Sequence, residues 1–321
     1  MLPATRIAFA TDFSGCSACA KEHAFALAKA LDATLDLVHV LETAPITYAG
    51  AEGAGLDLSA AYEAMRAQAE RSMERLAGEA TAQGLRAASH IALGRPHETI
   101  LDAAMASGCD YIVIGTHGRS GVAHLLFGSV CERLIRLSTI PVLAVRHADG
   151  ERTHPGEHLP IRRVLCPCDF SPLSEAALPV AAGLARRLGA SLTLMHVIDT
   201  RAAYPPIAPE VAPPSLAQLH EYAAQRLFAL ANGLAGVEVS INCMTGMPHE
   251  EILSVMVENH VDLAIMATRG SGGLEHFLMG STAEMVIRKA ACPVMTVRPG
   301  PHEFREAERV VAPRVHHATA V

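Results

Sequence analysis

The chain has no tryptophan, only 8 Phe and 5 Tyr, and no run of lysine or arginine. Single-stranded and duplex nucleic acids are held by basic patches interleaved with stacking aromatics, so a nucleic-acid surface is excluded on composition. No stretch of about 18 uninterrupted apolar residues occurs, and the start, MLPATRIAFATDFS, has no charged segment leading into a long apolar one. The expectation is a cytoplasmic protein with no membrane partner. The 8 cysteines are too sparse in 321 residues to form a disulfide framework. There is no Gly-x4-Gly-Lys-Ser/Thr, so no lysine is supplied to nucleotide phosphates in the manner of P-loop enzymes. No Ser/His/Asp set or carboxylate pair can be argued from spacing, and no metal site is expected. Binding is therefore favoured over catalysis.

What is present is an ordinary globular composition, with half the residues hydrophobic, 18% charged and a net charge of −7. Short apolar runs alternate with helical patterns. Residues 6–11 read as a first strand ending at Asp12, followed by a helix with apolar positions at Ala20, Ala24, Leu27, Ala28 and Leu31. Leu35–Val40 is a second strand and about 59–83 a surface helix. Then come a strand near 85–93, the turn Gly94-Arg95-Pro96 with its helix, a buried strand at Tyr111–Ile114, a helix after Gly128, and a strand at Pro141–Val145. Strict alternation of strand and helix predicts a largely parallel sheet covered on both faces.

The order then repeats. Asp169-Phe170-Ser171 follows Asp12-Phe13-Ser14 at an offset of 157, as His196-Val197 follows His39-Val40. Gly246-x-Pro248, Gly270 and Gly280-Ser281 follow Gly94-x-Pro96, Gly118 and Gly128-Ser129 at 152. An internal duplication of this kind predicts two domains, 1–147 and 161–299, with a polar linker at 148–160 and a tail at 300–321 that has lost strand and helix rhythm.

The loop between the fourth strand and the next helix, GTHGRSGVAHLLFGS from Gly115 to Ser129, carries the chemistry. Glycine admits a close ligand or a positive φ, and a helix start offers unpaired N–H groups to an anion. The ordinary alternatives are a loop that needs glycine only to turn, and, for Asp12 and Asp169, capping of the following helix. Glu132 with Arg136 and Glu284 with Arg288 read as surface ion pairs, and His39 and His196 as satisfied core histidines. His124 and His276 recur within the loop, and Cys16-x2-Cys19 falls at a helix start.

The ordered set of Asp-Phe-Ser, His-Val, Gly-x-Pro and Gly-x2-Gly-x9-Gly-Ser, present twice, resembles the universal stress protein family in its tandem bacterial form. The resemblance covers everything but linker and tail. It implies two tandem doubly wound α/β domains, each a five-stranded parallel sheet of order 3-2-1-4-5, pairing through Val142–Val145 and Val294–Val297, with a homodimer of tandem chains a further expectation. It also implies an adenine nucleotide such as ATP or AMP, with Mg accompanying it, outside the carboxyl ends of the strands. The residues carried over are Asp12, Val40, Gly115, Gly118, Gly128, Ser129 and the backbone N–H of Val130, and in the second half Asp169, Val197, Gly270, Gly280 and Ser281. Ala267 stands where the motif has glycine. The functional expectation is a nucleotide-responsive stress regulator; the rivals are an interaction module that binds no nucleotide and a slow ATP hydrolase.

Overall fold

The computed structural model describes residues 5–42, 58–117, 128–146, 161–199, 201, 214–268 and 279–298. The expected linker and tail, Gly118, Gly270, His124 and His276 lie outside them. The first half runs β1 (Arg6–Ala10), α1 (Gly15–Ala30), β2 (Thr34–Glu42), α2 (Leu58–Ala82), β3 (Arg86–Gly94), α3 (Pro96–Ala106), β4 (Tyr111–Gly115), α4 (Ser129–Leu137) and β5 (Val142–Val145). The second runs β6 (Arg163–Pro167), α5 (Pro172–Ala176), α6 (Leu178–Leu188), β7 (Ser191–Ile198), α7 (Leu216–Asn232), β8 (Val239–Thr245), α8 (Pro248–Glu258), β9 (Leu263–Ala267), α9 (Ser281–Lys289) and β10 (Val294–Val297).

The strands form one ten-stranded sheet of order β3-β2-β1-β4-β5-β10-β9-β6-β7-β8. Each half is parallel with the expected order 3-2-1-4-5, and the halves join antiparallel where Val294, Met295 and Thr296 of β10 face Ala144, Leu143 and Val142 of β5. All eight residues of these two strands are buried. Alternation along each strand sends side chains to opposite faces. Ile7, Phe9, Leu143, Val145, Met295 and Val297 thus join α1, α2, α6 and α7 in one core. Ala8, Ala10, Val142, Ala144 and Val294 join α3, α4, α8 and α9 in the other. Each core runs through both halves without a break.

Local chemistry sets the helix starts and one asymmetry. Ser14, Ser171 and Ser215 cap α1, α5 and α7 through their hydroxyls, and Gln218 completes a capping box at α7. The first half has the single helix α1; its counterpart is split into α5 and α6. Pro179 sits in the first turn of α6, where its missing N–H costs nothing, but it cannot continue a helix from the preceding turn. Guanidinium groups also bind the halves. Arg187 of α6 donates to the Thr5 hydroxyl at 2.7 Å and to the Leu31 carbonyl at 3.1 Å.

A second asymmetry lies inside the first half. Asp36 of β2, 1% exposed, receives Arg6 in a two-pronged ion pair at 2.7 and 3.0 Å and His90 at 2.9 Å. The Cys109 thiol also points at it, 3.6 Å away. Burial works to raise the Asp36 carboxyl, but the hydrogen bonds from Arg6 and His90 outweigh it and hold the group below the usual carboxylate range. Burial and that same carboxylate push the Cys109 thiol up to about 12. The position 157 residues on is Thr193, which bonds the Ser240 hydroxyl at 3.0 Å. A depressed folded-state pKa contributes stability that is present above the unfolded value of about 3.9 and lost as pH falls through the folded value. Asp36→Thr is therefore expected to cost about 1–3 kcal/mol near pH 7. It should also flatten the acid limb of a urea-unfolding series between about pH 5 and 3; an unchanged limb would remove this assignment.

Candidate functional site

In each half the first strand ends in a strained turn. Thr11 N–H bonds the Val38 carbonyl at 2.9 Å, continuing the β1–β2 ladder by one residue. The chain then reverses through Phe13, whose φ of 62° is left-handed, a conformation that costs a non-glycine residue about 1–2 kcal/mol. Phe170 has the same φ of 62°. Three contacts hold the turn. The Asp12 carboxylate accepts the Ser14 N–H at 3.0 Å, the Thr11 hydroxyl accepts the Phe13 N–H at 3.0 Å, and the Thr11 and Ser17 hydroxyls meet at 2.5 Å. The Phe13 ring lies on His39, centroids 4.6 Å apart, and His39 Nδ1 donates to the Thr11 carbonyl at 2.7 Å. The second half repeats this with Asp169 accepting from Ser171 N–H (3.1 Å) and Oγ (2.6 Å). There Phe170 stacks on His196 at 4.2 Å, and His196 Nδ1 sits 2.8 Å from the Cys168 carbonyl.

Two readings of the sequence are decided here. The helix caps are Ser14 and Ser171, so Asp12 and Asp169 are not the caps; each folds an Asx turn two residues ahead of itself. His39 and His196 are bonded core histidines under a phenylalanine. Burial lowers the pKa of His196, and the carbonyl acceptor keeps the proton on Nδ1.

The other wall of the site is the base of the glycine loop. Past Gly115, Thr116 N–H bonds the Val145 carbonyl of β5 at 2.8 Å, and the Thr116 carbonyl accepts the Gly128 N–H at 2.7 Å. Thr268 repeats both bonds, to Val297 at 3.3 Å and from Gly280 at 2.9 Å. Each loop is thus pinched shut at its foot, and α4 or α9 starts on the next residue. The N-caps are Gly128 (φ −58°, ψ 132°) and Gly280 (φ −66°, ψ 142°). These are ordinary extended angles, so neither glycine is there to supply a positive φ. What each lacks is a capping side chain, and the first-turn N–H groups therefore have no side-chain acceptor at the N-cap. Ser129 and Ser281 are exposed at these starts and Val130 is half-buried.

Because β1 lies between β2 and β4, the structure brings Asp12, Gly115, Thr116, Gly128 and Ser129 to one carboxyl edge of the sheet where the strand order reverses. Val40, opposite Ala92 in β3, is near the end of β2 on the same edge. Asp169, Val197, Ala267, Gly280 and Ser281 are arranged likewise. Gly115 is explained by packing. A Cβ there would stand 3.0 Å from the Cys16 thiol and 3.1 Å from the Cys16 carbonyl carbon and oxygen, and its φ is not left-handed. The first turn of α1 therefore presses on the end of β4, with the Cys16 thiol donating to Val145 O at 3.6 Å. In the second half Ala267 is accommodated beneath the shorter α5.

The sequence profile of the universal stress protein family matches residues 3–146 and again 160–298. The chain belongs to this family. It is 28% identical over 274 residues to a universal stress protein of Mycolicibacterium smegmatis, covering 84% of this chain and 88% of that one. It is 30% identical over 211 residues to a universal stress protein of Mycobacterium tuberculosis, 65% and 68% of the two chains. In fold it is similar to the crystal structure of a universal stress protein from Archaeoglobus fulgidus, with a TM-score of 0.69 at 23% identity over 93% of this chain and all of that one. A Pseudomonas aeruginosa protein of unknown function is similar at 0.61 and 18% over 96% and 97%.

The motif reading includes Phe13 but not Thr11, Ser17 and Thr116, which also shape the turn and the loop foot. A signal for two of them is in the sequence: Ser174 and Thr268 repeat Ser17 and Thr116 at the two offsets of the duplication. Gly115→Ala is expected to displace the first turn of α1 and cost about 1–3 kcal/mol of stability, the usual price of overpacking. Ala267→Gly should cost no more than about 1 kcal/mol. Equal melting-temperature shifts for the two would contradict the packing account.

Proposed function

We propose that this universal stress protein binds an adenine nucleotide such as ATP or AMP at the carboxyl edge of each half, and that binding rather than turnover is its activity. The observation that carries the reading is the pair of side-chain-free helix starts, at Gly128 and Gly280, each next to a strained Asp-Phe-Ser turn. An anion placed at such a start accepts N–H bonds that nothing at the N-cap provides for, and the helix dipole favours it. Strain held in the same turn of both halves by three or more hydrogen bonds is the kind that persists where a shape must be fixed before a ligand arrives. The family's adenine-nucleotide binding, implied by the shared motifs, supplies the chemical class.

In this reading the phosphates lie against the amides of Ser129 and Val130, with the Ser129 hydroxyl and Gly115 beside them, and the family motif assigns Gly118 to the same phosphates. Asp12 faces the ribose or base and Val40 packs on adenine. Asp169, Val197, Gly270, Gly280 and Ser281 hold the same parts in the second half. Mg would accompany the phosphates. Among the described residues no group of three His, Cys, Asp or Glu is arranged to hold a metal ion.

Isothermal titration and thermal unfolding with ATP and AMP test the reading. At a ligand concentration about 100-fold above Kd, stabilisation of about 2.7 kcal/mol per occupied site is expected. Asp12→Ala should lower affinity in the first half about tenfold or more, the loss of a hydrogen bond from a charged acceptor. No heat and no stabilisation at millimolar nucleotide would overturn it in favour of an interaction module with some other ligand.

A further inference from the structure

The chain carries an arginine directly after the last strand of each half, and neither belongs to any motif. Arg146 follows β5 and Arg298 follows β10, at the offset of 152 that relates the halves. Each reaches across the seam. Arg146 Nη1 donates to the Arg288 carbonyl of α9 at 3.0 Å, and Arg298 Nη1 donates to the Arg136 carbonyl of α4. These carbonyls belong to the last turns of the two helices, where no N–H further along the helix remains to pair with them. The two donors exchange places across the pseudo-twofold axis, so each half caps the helix of the other with a cation, the charge that a helix C-terminus favours.

The consequence follows from what lies at the opposite ends of α4 and α9. These helices have nine residues each, about 13 Å at 1.5 Å per residue, and begin at the two glycine-loop feet. Bonds already described then close a circuit. Thr116 is bonded to Val145, whose neighbour Arg146 holds the C-terminus of α9. The N-terminus of α9 is tied through Gly280 to Thr268, Thr268 is bonded to Val297, and the neighbouring Arg298 holds the C-terminus of α4, which returns through Gly128 to Thr116. Within each helix, Glu132 pairs with Arg136 at 3.2 Å and Glu284 with Arg288 at 2.6 Å, so the side chains of the clasped residues are held as well.

We infer that Arg146 and Arg298 are cross-domain positioning residues: each seats the loop-bearing helix of the opposite half, and the two ligand sites are finished only in the paired chain. A nine-residue helix is too short to be stable by itself, so the alignment of its first-turn amides depends on what holds it, including its far end. Loss of one clasp should therefore be felt at the site in the other half and not at the site nearest in sequence. This rests on the nucleotide reading above.

Hydrogen–deuterium exchange of the full chain during an ATP titration separates the two sites, because peptides covering 128–137 and 281–289 report each helix by itself. Arg146→Ala is expected to move the protection midpoint of 281–289 about three- to tenfold higher, the worth of one hydrogen bond, and to leave 128–137 within about twofold. Arg298→Ala should do the reverse, and lysine at either position, which keeps a charged donor, should restore most of the lost affinity. Should an alanine variant fail to fold, Arg146→Met and Arg298→Met keep the apolar stem without a donor or charge and are expected to show the same crossed pattern. Equal shifts at both helices, shifts confined to the mutated half, or none would overturn the inference while leaving nucleotide binding intact. Absence of ATP protection in the unmutated chain would overturn the nucleotide reading, and this inference with it.

Discussion

Everything in this molecule depends on three residue pairs, Ala144 with Val294, Leu143 with Met295 and Val142 with Thr296. A parallel half-sheet buried on both faces has apolar strands, and β5 as a free edge would present a buried-type strand with unpaired N–H and C=O groups to solvent, an invitation to misassociation. Antiparallel pairing with β10 satisfies those groups and continues both cores across the seam. The one polar side chain there, Thr296, is bonded to the Val142 carbonyl at 3.3 Å, so even this position leaves no unmet donor. The outer edges are treated differently. β3 and β8 carry Arg86, Ser89, His90, Ser240 and Asn242 and are largely half-exposed, the composition of an edge that does not seek a partner.

The same seam explains why duplication within one chain retains symmetry at some positions and loses it at others. The turn after the first strand, the pinched loop foot and the glycine helix start are equal in both halves. Each is backbone geometry that a few local hydrogen bonds specify. The parts that diverge are interior packing choices, where any self-consistent solution serves. Asp36 with Arg6 and His90 becomes Thr193 with Ser240, and the hydroxyl pair Thr11–Ser17 becomes Cys168–Ser174 at 3.4 Å. Continuous α1 over Gly115 becomes split α5 and α6 over Ala267. In the first half the Cys16 backbone and thiol stand where a Cβ on residue 115 would go, whereas the second half carries a buried Ala267 at that place.

The fold was legible in the sequence because it is written in periodicity and repetition. Alternating apolar runs located the strands, the offsets of 157 and 152 aligned the halves, and the reversal of strand order placed Asp12 beside the glycine loop. The site was legible in its residues but not in their reasons. Glycine at 115 reads as phosphate chemistry, yet its neighbour is Cys16, on a helix about 100 residues away in the chain. Gly128 reads as conformational freedom, yet its φ of −58° needs none. Asp12 reads as a ligand contact with helix capping as its alternative, and Ser14 takes the cap. In each case residue type constrains the chemistry available, while the choice among chemistries depends on atoms brought near by packing, and a linear pattern does not contain them.

Arg146 and Arg298 mark the limit of that argument. Each is one arginine in an unremarkable tripeptide, and its partner is a main-chain carbonyl, which has no sequence signature at all. Only the antiparallel seam brings the end of β5 to the last turn of α9 and the end of β10 to the last turn of α4. In a single domain neither arginine would reach the carbonyl it holds across the seam. The seam therefore does more than bury an edge: by fixing where the strands end, it determines what finishes the helices that start at the glycine loops. In a chain whose two halves share one sheet and two continuous cores, the structural unit that must be intact for either site to be formed is the pair.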